Sequence, residues 1–262
     1  MTATNCLGLV LVFCAALAGM SARLEAQFGP LVTPGQAAQA RSQDELDWYL
    51  EIVSATGPTA AVQKVKIFVA AFPKSELLGA AYQYQLQAFE QLNDFDGMLA
   101  AGGKALAADP DSLNTLLALA PAMANRASAR PDRVQLLSQA ESYARRALDG
   151  IDQIKIPREL SIEQWNIRKH EMQSDAHGVL GVVAFQRSQF QPAIRELEMA
   201  ISLVPRPQGV QFLRLGLALA AAGKKDDAEQ RLRRAAELGP EPVRNVALDQ
   251  LKKLSEGQRT LR

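Results

Sequence analysis

The sequence predicts an all-α fold built from repeated helical hairpins, and three observations lead to that prediction. Only 6% of the 262 residues are aromatic, whereas Gly and Ala are abundant, as expected where helices approach one another closely. Identical residues recur 35 positions apart, and a proline closes each recurring segment, where a helix cannot continue. No segment of the sequence has a convincing strand pattern.

The repeat is clearest in two C-terminal segments, which align when Gly181 is matched with Gly216. The same alignment pairs Leu180 with Leu215, Ala193 with Ala228, Leu197 with Leu232, Ala200 with Ala235 and Pro205 with Pro240. The Ala, Leu and Ala of each segment recur at i, i+4 and i+7, which places them on one buried stripe of a helix. The closing proline then forces the turn to the next segment.

These segments resemble the tetratricopeptide repeat (TPR), in which a Leu-Gly pair lies in the first helix and a proline ends the unit. The resemblance implies a right-handed α-solenoid of about five helix-turn-helix (TPR) hairpins with a C-terminal capping helix. It gives repeat-structural roles to Gly181, Ala193, Ala200, Pro205, Gly216, Ala228, Ala235 and Pro240.

The pattern extends upstream, so the solenoid is predicted over residues 42–254, with units closing near residues 73, 110, 152, 205 and 240. Pro121 is expected to interrupt the helix predicted over residues 111–124. Ser161 and Gln164 resemble a capping box that opens the next helix. A helix over residues 242–254 would cap the array, and residues 255–262 are expected to fray.

Residues 1–26 are expected to lie outside the fold. Residues 6–20 are almost all apolar, but at 1.5 Å per residue they cover only about 22 Å, short of a hydrocarbon core of about 30 Å. This length suits the apolar region of a signal peptide, and small residues follow it. The alternative is an uncleaved N-terminal anchor. Residues 27–41 contain Pro30 and Pro34 and are interpreted as a flexible lead-in.

Charge and cysteine content narrow the function classes. The net charge of +1 gives no bulk electrostatic reason to bind nucleic acid. Both cysteines, Cys6 and Cys14, lie in the predicted signal peptide, so the mature chain would lack thiols. That excludes thiolate catalysis and Cys-ligated metal in the mature chain, and it suits an oxidising compartment. We therefore expect an exported protein, periplasmic or associated with the cell envelope.

The sequence predicts no enzyme activity, no cofactor and no metal site. His170 and His177 are two helical turns apart, about 10 Å, which is too far for one metal ion. The carboxylate pairs lie in predicted turns, where they are interpreted as solvated helix caps. The alternative is an enzyme whose site lies in the insertion over residues 153–172. It predicts that four residues converge in a cleft: Glu163, Trp165, His170 and Glu171.

The resemblance implies a scaffold or adaptor that binds a protein or peptide in a concave groove formed by the first helix of each unit. The partner-binding residues expected there are Gln83, Gln87, Gln91, Val182, Phe185, Leu213 and Leu217, with Glu90, Asp175 and Gln186 on the same face.

Some repeats of this family grip a carboxylate with Lys, Asn and Arg. This chain has Gly178, Val182, Leu213 and Leu217 at those positions, so that clamp is absent and the C-terminal groove is predicted to be apolar. Such a groove suits an amphipathic helix or an extended apolar peptide. The alternative is that these apolar residues simply pack against the capping helix.

A second reading of the function is a membrane-tethered structural subunit of an envelope assembly. It would be held by an uncleaved helix over residues 6–20 and would work through oligomerisation. In either reading the membrane is involved only through that segment, if at all. The sequence does not determine the oligomeric state or the identity of the partner.

Overall fold

The computed structural model describes residues 38–157 and 160–259, and within these ranges it contains α-helices, one short 3₁₀ helix and no strand. The eleven α-helices of the described chain are α1 (Gln43–Val53), α2 (Pro58–Ala71), α3 (Leu78–Gln91), α4 (Phe95–Ala108), α5 (Leu113–Arg126), α6 (Arg133–Ile151), α7 (Ile162–Gln186), α8 (Phe190–Leu203), α9 (Gly209–Ala221), α10 (Lys225–Leu238) and α11 (Glu241–Arg259). The predicted all-α class is confirmed.

The helices follow one another as five consecutive pairs and a final single helix. The second helices of the pairs end at residues 71, 108, 151, 203 and 238, within two residues of the predicted closing points. α1 packs on α2, α3 on α4, α7 on α8 and α9 on α10, and α11 packs on α10. The array of helix-turn-helix hairpins with a C-terminal capping helix is therefore confirmed.

The described chain forms two compact units, and the division between them runs through α5 and α6. The first unit comprises residues 38–119 and 149–157. Its core contains Ile52 of α1, Phe68 of α2 and Ala81 of α3, each exposing 1% or less of its surface. Ala40 packs against this core, and Arg41 pairs with the carboxylate of Glu76 at 3.4 Å. The end of the predicted flexible lead-in is thus held on the first hairpin.

The second unit comprises residues 120–148 and 160–259 and contains the two clearest repeats. Its longest helix, α7, begins with the predicted capping box. The Ser161 hydroxyl oxygen accepts from the Gln164 backbone N–H at 3.1 Å, and the Gln164 side-chain oxygen accepts from the Ser161 N–H at 2.9 Å. These two bonds satisfy backbone donors that the first turn of a helix otherwise leaves unpaired. The capping box is therefore confirmed.

Pro121 does not interrupt its helix, contrary to the expectation from the sequence. α5 is continuous from Leu113 to Arg126, with Pro121 inside it. A proline removes one backbone hydrogen bond and disfavours a helix interior. Buried neighbours on both sides offset this cost, because Ala120 exposes 1% and Ala124 none of its surface. Tertiary packing thus overrides the local preference.

The last helix is longer than predicted, because α11 continues five residues past Leu254 to Arg259. Two ion pairs at i, i+4 spacing lie near its end. Lys253 contacts Asp249 at 2.6 Å, and Lys252 lies 3.9 Å from Glu256. Pairs at this spacing stabilise a helix that extends into solvent.

No helix among the described residues combines the length and apolar character that crossing a bilayer requires. The apolar residues 6–20 lie outside the described residues, so the signal peptide and its alternative, the anchor, both stay predictions.

Candidate partner-binding faces

The repeat residues of the second unit lie where its helices meet. Ala193, Ala200, Ala228 and Ala235 each expose 1% or less of their surface. A Cβ placed on Gly216 would lie 2.8 Å from the Cγ of Leu232, so the Leu232 side chain of α10 packs directly on the backbone of α9 at this point. Pro205 and Pro240 follow the ends of α8 and α10. These residues set the spacing of the hairpins.

The apolar residues predicted to line the C-terminal groove are core residues instead. Val182, Phe185, Leu213 and Leu217 each expose only 1% of their surface. The physical reason is that the C-terminal half of α7 and most of α9 are apolar on every side, and such helices are covered all round in a folded protein. The expectation that these four side chains present a binding surface is corrected.

A polar patch lies on the second unit at the predicted position of Asp175. Asp175 belongs to α7 and stays exposed, as does Glu171 one turn before it. The Arg214 guanidinium of α9 reaches Asn125 of α5 and donates to its side-chain oxygen at 3.3 Å. The guanidinium lies beside Gly178, where a Cβ would be 3.9 Å from Nη1 of Arg214, an ordinary van der Waals distance. We call these residues the Asp175 patch.

Solvent reaches Asp175, yet atoms of the surrounding helices desolvate its carboxylate. This burial raises the pKa of Asp175 to about 6, and the Glu171 carboxylate adds to the rise. The guanidinium groups of Arg214 and Arg168 act in the opposite direction, because they stabilise the charged form. A carboxyl group with a raised pKa beside an arginine is common at functional sites, although structural ion-pair networks also produce it.

Ser174, the neighbour of Asp175, ties three helices together. Its hydroxyl donates to the backbone oxygen of Ala200 in α8 at 2.7 Å and accepts from the side-chain amide of Gln211 in α9 at 2.9 Å. Ser174 is 2% exposed, so both bonds are shielded from water. This contact fixes the backbone that carries the Asp175 patch.

In the first unit, the predicted glutamines of α3 lie at the surface. Gln87 and Gln91 are exposed, and Glu90 is exposed between them. Gln83 is half-buried and donates from its side-chain amide to the hydroxyl oxygen of Ser112 at 2.6 Å. Two of the three predicted glutamines are therefore available to a partner, and the third is engaged within the unit.

Three exposed apolar residues of α1 occupy the same repeat positions as residues 83, 87 and 90 of α3, and the sequence analysis did not identify them. Leu46, Leu50 and Val53 of α1 expose 38%, 50% and 46% of their surface. Leu50 lies 23 residues before the closing Pro73, just as Gln87 lies 23 residues before Pro110. The repeat spacing, applied to the first unit, would have found them.

These residues define the first-unit face: Leu46, Leu50 and Val53 of α1 with Gln83, Gln87, Glu90 and Gln91 of α3. On α1 the apolar residues recur at i, i+4 and i+7, so they form one stripe along the helix. The core side of α1 carries different residues: Ile52 belongs to the core of the unit, and Tyr49 packs against it. The stripe is therefore a separate apolar surface and is not the edge of the core.

The residues named by the enzyme alternative do not converge. Trp165 exposes 4% of its surface, whereas Glu163, His170 and Glu171 are exposed positions of the same helix, α7. His177 is paired with Glu196 of α8, with Nδ1 and Oε2 2.7 Å apart. The described residues contain no cluster of three His, Cys, Asp or Glu side chains that could hold a metal ion. These residues therefore do not form the cleft that the enzyme alternative requires, and that expectation is wrong.

No protein-family model matches the chain, and no curated protein matches it. Solved structures similar to it include MamA (21% identity, TM-score 0.43, covering 67% of this chain and 95% of MamA). TTC0263, a thermophilic TPR protein of Thermus thermophilus, has 17% identity and a TM-score of 0.46, over 79% of this chain and 97% of that protein. PilW, a type IV pilus biogenesis factor, has 15% identity and a TM-score of 0.42, over 78% of this chain and 99% of PilW.

The fold assignment rests on the hairpins of this structure, because the TM-scores with these proteins are all below 0.5. The paired helices, the buried Ala residues and the Gly216 contact all occur at the positions that the repeat pattern assigns to them. The described chain is an array of helix-turn-helix hairpins similar to the tetratricopeptide repeat.

Proposed function

We propose that the chain is a non-catalytic scaffold that binds a protein or peptide through the first helices of its hairpins. The observation that carries this proposal is the exposed apolar stripe of α1. Leu50 is half exposed, whereas Val182 and Leu217, at the same repeat position, expose 1%. A surface stripe of apolar side chains rimmed by polar ones is typical of an interaction site.

Aromatic contacts join the helices under this face. Tyr49 of α1 packs against Phe68 of α2 and Tyr84 of α3, with ring centroids 6.1 and 6.2 Å apart. These aromatic contacts hold α1 and α3 in a fixed arrangement, so a partner meets a preformed surface. A preformed surface lowers the ordering cost of binding.

Cross-linking in the native cell tests this function. A photoreactive amino acid at position 50 should capture a partner, whereas the same group at the exposed position 66 of α2 should not. Mass spectrometry then identifies the captured protein. Equal capture at both positions, or no capture at position 50, would contradict the proposal.

We also propose that the protein acts outside the cytoplasm, in the periplasm or the cell envelope. The apolar residues 6–20, the small residues after them and the lack of cysteine beyond Cys14 support this location. The alternative is a membrane-tethered structural subunit that keeps its N-terminal segment. N-terminal sequencing of the protein purified from its native cell distinguishes the two, because retention of Met1 or Cys6 favours the tether.

A further inference from the structure

We infer that the partner segment bound by the first-unit face is a basic amphipathic helix, with apolar residues along one side and Lys or Arg beside them. This inference rests on the proposed function and names the chemistry of the partner. The charge around the stripe and the geometry of the stripe carry it.

The charge of the two helices that form the face is entirely negative. α1 and α3 contain no Lys or Arg, and their carboxylates are Asp44, Glu45, Asp47, Glu51 and Glu90. Glu45 is 3% exposed, and Glu51 pairs with Lys64 of α2 at 2.7 Å. Asp47 is exposed beside the stripe and Glu90 is exposed on α3, whereas Asp44 lies on the opposite side of α1 from the stripe. Asp47 and Glu90 thus give the stripe carboxylate neighbours, with no Lys or Arg on the same two helices, and these carboxylates can attract cationic side chains.

Asp47 lies directly beside the apolar stripe. It is one helical turn before Leu50, at i, i+3 spacing, so their side chains are neighbours on the helix surface. Its carboxylate accepts from the Gln43 side-chain amide at 2.7 Å, a neutral donor that leaves the negative charge in place. A Lys or Arg of a partner can approach Asp47 while an adjacent apolar residue covers Leu50.

The geometry favours a helical partner. Leu46 to Val53 spans two turns of α1, about 10 Å, which matches the i, i+4, i+7 contact row of a second helix. α1 and α3 satisfy their own backbone hydrogen bonds, so they offer no open sheet edge to an extended chain. A helix satisfies its backbone internally and needs only side-chain contacts.

Binding of designed peptides to the purified protein tests the inference. The probes are three fluorescently labelled peptides of about 18 residues. The first is a Leu/Lys/Ala peptide with helical apolar spacing, the second replaces each Lys by Glu, and the third has the Leu/Lys/Ala composition in an order without helical spacing. We expect the basic amphipathic peptide to bind at least about tenfold more tightly than either of the others. Raising the salt should weaken it.

Three variants locate the binding. Leu50→Gln should reduce affinity for the basic peptide at least about tenfold, because it removes the centre of the stripe. Ile67→Gln is the control, since Ile67 of α2 is 47% exposed, close to the 50% of Leu50, and lies outside the face. Asp47→Asn should lower the affinity several-fold and flatten the salt dependence. All three positions are exposed, so unchanged circular dichroism is expected.

The outcomes separate this inference from the proposed function. If the acidic peptide binds as well as the basic one and Leu50→Gln weakens both, the face binds partners but the basic chemistry is wrong. If Leu50→Gln changes only the sedimentation of the protein, the face joins two copies and the inference is overturned. If peptide binding is independent of Leu50, the inference also fails. The scaffold proposal fails with it only if position 50 captures no partner in the cell, or captures no more than position 66 does.

Discussion

Gly181 of α7 packs directly on Leu197 of α8, and a Cβ at position 181 would lie 2.6 Å from the Cγ of Leu197. The relationship recurs 35 residues later between Gly216 and Leu232. Real side chains do not approach so closely, so the recurring glycine reports a packing requirement of the hairpin. This contact explains why the repeat spacing is strict in the last two units.

We predict that Gly181→Ala is less stable than Gly178→Ala by about 1–3 kcal/mol, because the added methyl group overpacks the contact with Leu197. Gly178 is the matched control, since it lies on the same helix and a Cβ there meets nothing nearer than 3.9 Å. Replacing that glycine should slightly stabilise the helix. Urea unfolding measures both, and equal stability of the two variants would contradict the prediction.

Ser174→Ala should destabilise the second unit by about 1–3 kcal/mol. The Ala200 carbonyl that Ser174 satisfies lies in the last turn of α8, where backbone oxygens lack partners within the helix. The variant also leaves the Gln211 side-chain amide without the hydroxyl acceptor of Ser174. Ser202→Ala serves as the control, because Ser202 is exposed and bonds only within its own helix. Thermal or urea unfolding should show a loss for the first variant and almost no change for the second.

Phe185→Ala should lower the free energy of unfolding by about 3–5 kcal/mol, since it empties a fully buried site in α7. The ring of Phe185 also lies 5.8 Å from that of Phe190. Leu248→Ala is the comparison in the same unit, because Leu248 is 51% exposed and should change stability little. A Phe185→Ala protein that is as stable as wild type would contradict the assignment of Phe185 to the core.

The stability of the protein should depend on pH through Asp175. Its pKa is about 6 in the folded protein and about 3.9 in an unfolded chain, so folding disfavours the carboxylate. The resulting destabilisation is fully present above about pH 6 and disappears below about pH 4. Asp175→Asn should therefore be more stable than wild type near pH 8 and equal to it near pH 4. Urea unfolding across this range measures the difference, and a difference that stays constant with pH would be the contrary result.

The sequence determined the local architecture because the relevant signals are local. The spacing of Ala193, Leu197 and Ala200 identifies the buried side of one helix, and Pro205 marks where that helix must end. Ser161 and Gln164 likewise form their capping box from adjacent residues alone. Helices, turns and hairpin pairing are decided by contacts between residues close in the chain, so the repeat predicts them well.

Only the tertiary structure decided which side chains of the first helices stay at the surface. Leu50 and Val182 each lie 23 residues before a closing proline, yet Leu50 is half exposed and Val182 is buried. The repeat position fixes the direction in which a side chain leaves its own helix. Whether that side chain is covered depends on what packs over it, which residues distant in sequence decide. The same reason keeps α5 helical through Pro121, because buried neighbours offset the lost hydrogen bond.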